Sequence, residues 1–144
     1  MKDYDPNYKD VKHYAIVGQK AVIFNSKNKI LLLKRSDKSG GGGMWSFPGG
    51  GLDTGEKAEV GMLREIEEET EITVNDLRPF YVKTYMNGND FTVIIAYRGK
   101  LHGGEVILNW EHDEFKWLSK EDALKLNLTE DAEDILKHFI QYQT

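Results

Sequence analysis

No cysteine occurs among the 144 residues, which excludes disulfides, thiol nucleophiles and cysteine-bound zinc and leaves the compartment open. Long apolar runs are missing as well. Ile30 to Leu33 and Val93 to Ala96 are among the longest, far short of the roughly 20 residues a membrane helix needs. The N-terminus, Met-Lys-Asp-Tyr-Asp-Pro, is polar and acidic with no apolar stretch behind it, so no signal peptide is visible and a cytoplasmic location is expected. Positive charge is in deficit: 19 Lys and Arg against 24 Asp and Glu leave a net charge of -5. That balance argues against broad contact with a nucleic-acid backbone and is compatible with an anionic small molecule bridged by a metal. His13, His102, His112 and His138 show no metal-ligand spacing and read as surface or locally bonded groups. There is no repeat, no low-complexity linker and no domain boundary, so a single domain over residues 1–144 is expected.

What the chain does have is negative charge concentrated in one place. Glu65, Glu67, Glu68, Glu69 and Glu71 crowd the segment Arg64 to Ile72, directly after a glycine-rich turn from Phe47 to Glu56. Residues three and four apart are neighbours on a helix, so Glu65, Glu68 and Glu69 share a face and repel one another by roughly 0.2–0.5 kcal/mol per pair. A bare run of glutamates is as a rule a solvated face. The turn in front of this one changes the reading, because a hard divalent cation such as Mg²⁺ is held by carboxylates, waters and substrate phosphates.

The turn and the helix supply the rest of such a site. Glycines at 49, 50, 51 and 55 let backbone approach a neighbouring group, and Pro48 fixes the entry. A loop of this kind can offer carbonyls to a metal or amides to a phosphate. Helix-favouring residues run from Ala58 to Thr70, with Val60, Leu63 and Ile66 expected to pack on a sheet. Arg64 lies four residues before Glu68 and eight after Glu56, placed to pair with a carboxylate and hold it in one rotamer.

Gly50, Glu56 and Arg64-Glu65-Ile66-x-Glu68-Glu69-x-x-Ile72 resemble the Nudix box, G-x5-E-x7-R-E-U-x-E-E-x-G-U with U aliphatic. One specified position departs: Glu71 stands where the family has its last glycine. A glycine there suits a left-handed residue ending the helix, and a glutamate in that conformation costs about 1–2 kcal/mol. The resemblance implies an α+β fold, a Nudix-type α/β/α sandwich on a mixed sheet, and hydrolysis of a nucleoside diphosphate linked to another group. It implies Mg²⁺, with Mn²⁺ the other candidate, held by Glu65, Glu68 and Glu69 with a carbonyl near Gly49 or Gly50. Glu68 and Arg64 would belong to the catalytic machinery. In some relatives a glutamate six residues before a tryptophan joins this chemistry. Glu111 stands at that distance from Trp117, ahead of the rival Glu114 and its neighbour Asp113.

The remaining segments suit that fold. Lys12 to Phe24 alternates, Asn25 to Asn28 reads as a turn and Ile30 to Lys34 as a buried strand. Gly40 to Gly43, a flexible segment just before the box, is a candidate active-site lid. Pro79 is expected to break the chain before a strand from Phe80 to Met86, with a hairpin at Asn87-Gly88 and a return over Phe91 to Arg98. A short strand is expected near Phe115 to Leu118. Ser119 and Thr129 are expected to cap two helices, the second burying Ile135, Leu136 and Phe139. Arg35 at a strand end could contact a phosphate, and Tyr85, with Tyr81, Phe91, Tyr97 and Trp110, could stack on a base.

Two function classes remain. A metal-dependent pyrophosphohydrolase would act on a nucleoside triphosphate, or on ADP-ribose, a nucleotide sugar or a dinucleoside polyphosphate. A non-catalytic nucleotide or RNA binding module would not need so costly a cluster of like charges. The expected partner is a small-molecule nucleotide, with no membrane; a homodimer is left open.

Overall fold

The computed structural model describes residues 1–143. Residues 1–15 form no regular element, and the alternating segment becomes a strand only at Ile16. The strands are β1 (Ile16–Phe24), β2 (Ile30–Arg35), β3 (Trp45–Ser46), β4 (Gly49–Gly51), β5 (Thr73–Asn87), β6 (Asp90–Gly103) and β7 (His112–Leu118). The helices are α1 (Ala58–Thr70), α2 (Lys120–Ala123) and α3 (Glu130–Tyr142). The mixed sheet runs β3-β2-β1-β6-β5, with β4 on β1 and β7 on β2. β1 and β6 are parallel from Ile16↔Thr92 to Phe24↔Lys100, a pairing that needs the long crossover through α1 and β5.

Two buried clusters explain the layers. Ala21, Ile23, Leu31 and Leu33 meet Met62 and Ile66 of α1, while Val22, Ile30 and Leu32 meet Ile135, Leu136 and Phe139 of α3. β1 and β2 are thus covered on both faces, which is why they read as near-continuous apolar runs. This is the α+β sandwich expected of the sequence.

Three details differ from that expectation. Val60 and Leu63 are 56% and 39% exposed, and the buried face of α1 is instead Met62, Ile66, Glu69 and Thr70. The helix is rotated so that Glu69 reaches the backbone amide of Gly49 beneath it. Pro79 does not end an element: β5 runs through it from Thr73, with register shifts at Asn75/Arg78 and Pro79/Tyr81. A proline is tolerated at such irregularities on an edge strand, where no ladder hydrogen bond is lost. The hairpin pairs Asn87 with Asp90, so its turn is Gly88-Asn89, with φ 61° at Gly88.

The helix caps stand as expected, since the Ser119 and Thr129 hydroxyls accept from the Asp122 and Ala132 amides. α1 ends at Glu71 in the left-handed region, φ 55° and ψ 19°. No helix among the described residues is long and apolar enough to cross a membrane.

Candidate active site

Two glycines of β4 shape the floor of the site for different reasons. At Gly49, with φ 145°, a Cβ would lie 1.9 Å from the Gln19 carbonyl oxygen, so the close crossing of β4 on β1 admits no side chain. At Gly50 a Cβ would lie 2.8 Å from Glu65 Oε2, so that glycine leaves room for a carboxylate. The Gly49 amide donates to Glu69 Oε1 at 2.7 Å.

Arg64 gathers the other acids of the helix and turn. Its Nε and Nη2 form a fork on Glu56 at 2.7 and 3.0 Å. Its Nη1 donates to Glu65 at 3.1 Å and Glu68 at 3.2 Å, and Asp53 lies 3.5 Å from Nη2. The hydrogen bond from Arg64 holds the Glu56 carboxyl below its ordinary range. Burial is the larger influence on Glu65 and raises it, against the opposing pull of Arg64. The three facing glutamates form a gradient: the side chains of Glu69, Glu65 and Glu68 are 2%, 14% and 55% exposed.

Glu69 sits in the most restrictive surroundings. Burial pushes its carboxyl up to about 8, opposed by the charge of Lys20 and the Gly49 amide. His112 Nδ1 lies 3.4 Å from Glu69 Oε2, but neither ring nitrogen has a hydrogen-bond partner among the described residues. Burial, then the charges of Lys20 and Arg35, lower the imidazole to about 4. We take the metal-free pair as a protonated carboxyl facing a neutral ring, because burial penalises both charged forms. Lys20 Nζ donates to the Phe47 and Gly49 carbonyls at 3.4 and 3.3 Å. Enclosure lowers this ammonium, and the charges of Glu69, Arg35, Asp131 and Glu65 all act on it.

The other expected residues divide. Glu111 lies close enough for its charge to raise both Glu65 and Glu69, and its Oε1 accepts from Asn109 Nδ2 at 3.3 Å. Glu114 is exposed and stands 3.7 Å from Lys34. Arg35 acts on Lys20 and His112, and its Nε donates to the Gly40 carbonyl. The segment from Gly40 to Gly43 forms part of the turn between β2 and β3, closed by Gly43 N to Arg35 O at 2.8 Å. Tyr85 OH reaches Asp131 Oδ2 at 3.5 Å, at the start of α3. Tyr97 is buried, accepting from Gln19 Nε2 at 2.8 Å, while Phe91 and Trp110 are exposed.

Sequence reasoning missed Lys20 and misplaced His112. The signal for Lys20 was a lone cation inside an apolar strand; His112, next to Glu111, is 4% exposed and no surface group. Three carboxylates of graded burial, with backbone carbonyls beside them, are the oxygen donors a hard divalent cation takes. Among the described residues, however, no three acids or histidines already converge on one point, and Arg64 stands between Glu65 and Glu68. The residues fit the metal in chemistry, with Arg64 occupying the gap as folded.

Known proteins resemble this chain in sequence and fold. Residues 16–139 match the family model described as NUDIX domain. An RNA pyrophosphohydrolase of Campylobacter jejuni subsp. doylei is 30% identical over 126 residues, covering 79% of this chain and 74% of its own. Nucleoside triphosphatase NudI of Escherichia coli is 32% identical over 121 residues, covering 74% and 84%. The crystal structure of MutT protein from Methanosarcina mazei Go1 superposes with a TM-score of 0.76 at 29% identity, covering 92% and 97%. With the match spanning nearly the whole sandwich, this chain belongs to the Nudix family of hydrolases.

Proposed function

We propose that the chain hydrolyses nucleoside triphosphates with a divalent metal, releasing a nucleoside monophosphate and pyrophosphate. The observation that carries this reading is Glu69, a buried carboxyl group acted on by the charges of Glu65, Glu111 and Lys20, with the charge of Arg35 acting in turn on Lys20 and His112. A structural ion pair needs no such mixture, whereas a metal with a polyphosphate brings both signs of charge. The relative named as a nucleoside triphosphatase favours the same substrate class.

Glu65, Glu68 and Glu69, with a carbonyl of Gly49 or Gly50, would hold Mg²⁺ or Mn²⁺, which when bound screens phosphate charge, polarises the phosphoryl group and acidifies water. Arg64 keeps Glu56, Glu65 and Glu68 in fixed rotamers, a supporting role that metal sites depend on. Arg35 and Lys20 neutralise phosphate oxygens, and Tyr85 contacts the base beside Asp131. Glu111, with Asn109 orienting one oxygen, takes the proton of the attacking water. The water oxygen bonds to phosphorus as the anhydride bond breaks, and pyrophosphate leaves. Glu114, paired with Lys34, is the second choice of base.

A substrate panel with Mg²⁺ or Mn²⁺ tests this reading. It includes canonical and oxidised nucleoside triphosphates, ADP-ribose and diadenosine polyphosphates. A 5′-triphosphorylated RNA presents the same anhydride and is added because the Campylobacter relative is named for RNA. Monophosphate plus pyrophosphate from a free triphosphate is the expected result. Glu68→Gln and Glu69→Gln should each lower turnover by about a hundredfold, on the order of 3 kcal/mol. Full activity in excess EDTA would overturn the metal reading, and tight binding without turnover would leave a binding module.

A further inference from the structure

A cavity bordered by paired arginines lies away from the box. β1 carries both: Lys20 opposes Gly49 of the box turn, and Phe24, four residues and about 13 Å further along the strand, borders a cavity of about 870 Å³. Arg78 and Arg98 both line that cavity and are direct cross-strand partners on β5 and β6. Like charges placed opposite each other weaken a sheet. Neither guanidinium has a carboxylate within 4.0 Å among the described residues, and the nearby Lys100 is shared only with Asp76 at 3.6 Å. In a chain of net charge -5, this cavity is bordered by more positive than negative groups.

The arginines are also unequal in a useful way. Arg98 is fixed in place, donating to Gln143 Oε1 at 3.0 Å and lying over the rings of Phe24 and Phe139 at 5.8 and 5.3 Å. Only one of its five N–H groups is named in that bond, so its fork keeps donors for an anion. Arg78 is exposed and can swing to meet the same ligand. Pro79 and Phe80 add an apolar wall next to these charges. The size suits a small molecule, since ligand cavities span roughly 300–1,000 Å³.

We propose that this cavity binds a phosphate monoester carrying a flat ring, a nucleoside monophosphate, with Arg78 and Arg98 forked on the phosphate and the base against Pro79 and Phe80. Paired arginines match the geometry of a phosphate dianion, and the ring uses the wall that a bare ion would leave uncovered. The site is independent of the reaction assigned to the box.

The test is a titration of the metal-free protein in EDTA with adenosine and guanosine monophosphate, followed by backbone amide shifts. Saturable shifts at Ser26, Gly99 and Lys100 are expected, unchanged in Glu65→Gln and roughly tenfold weaker in Arg78→Gln, as for the loss of one charge-assisted fork. Arg78 is exposed, so its variant should fold, and its melting curve checks this. Shifts confined to Gly49–Gly51 and α1, or no saturable shifts, would overturn the site. Inorganic phosphate binding as tightly as the nucleotides would overturn the base contact, and an unweakened Arg78→Gln would overturn the arginine fork.

Discussion

Replacing Glu71 by glycine should stabilise the protein. Glu71 holds φ 55° and ψ 19°, and its amide closes α1 on the Glu67 carbonyl at 2.9 Å. A side chain in that region costs about 1–2 kcal/mol. Its charge also sits at the negative end of the helix, where no basic residue occupies the last turn, adding about 0.3 kcal/mol. Glycine removes both terms and gives back about 0.5–1 kcal/mol through the greater freedom of the unfolded chain. The side chain is exposed, so no packing is lost. The net gain is about 1 kcal/mol, or roughly 2–4 °C in Tm for a chain near this size. Thermal and urea melts of Glu71→Gly and Glu71→Ala measure it, the alanine removing the charge while keeping most of the strain. A glycine variant no more stable than the alanine variant would refute the argument from backbone strain.

Gly50→Ala should fold with little loss yet bind Mg²⁺ at least roughly tenfold more weakly, because its methyl displaces the Glu65 carboxylate. Gly49→Ala should fail to fold, since its methyl meets the Gln19 backbone; melts and a metal titration that found the two alike would count against this division. In the metal-free protein the contribution of Glu69 to stability should fall between about pH 6.5 and 8, while Lys20, lowered by burial, acts in the opposite sense, so the slope is read as the difference between wild type and Glu69→Gln. Glu69, pushed up to about 8, favours folding below its unfolded value and loses that contribution as pH rises. His112, lowered to about 4, favours folding above about 6.5, so it opposes Glu69 only at lower pH, and urea melts across the range would show the slope or its absence. Glu111→Gln should depress kcat with KM nearly unchanged, while Glu114→Gln and Asp113→Asn stay mild; the reverse order in steady-state assays would move the base.

The layers of the fold were legible because burial on both faces leaves continuous apolar strands, and because Ser119 and Thr129 mark helix starts by simple side-chain chemistry. Fixed spacing made Glu56, Arg64 and the glutamates legible as one constellation. The path of β5 through Pro79 was hidden, since an edge strand absorbs a proline by irregular pairing that no local propensity reports. Lys20 was hidden for another reason. Its ammonium is placed by a contact with the Phe47 and Gly49 carbonyls across the sheet, and no spacing along the chain encodes that.

The rotation of α1 follows from the same kind of long-range contact. Val60, Leu63 and Ile66 form as good an apolar stripe as Met62 and Ile66, so periodicity alone had no means of choosing between them. The choice falls to Glu69, whose carboxylate closes on the Gly49 amide and so fixes which side of the helix turns inward. The cost is a buried acid, visible in its raised titration, and the exposure of Val60 and Leu63. A purely structural helix would have buried the valine and leucine and left the glutamate in water. That this one does the opposite ties the helix register to the contact between Glu69 and the Gly49 amide, and it resolves the expected repulsion by separation: Glu65 and Glu68 share Arg64, while Glu69 stands apart, its carboxyl raised by burial.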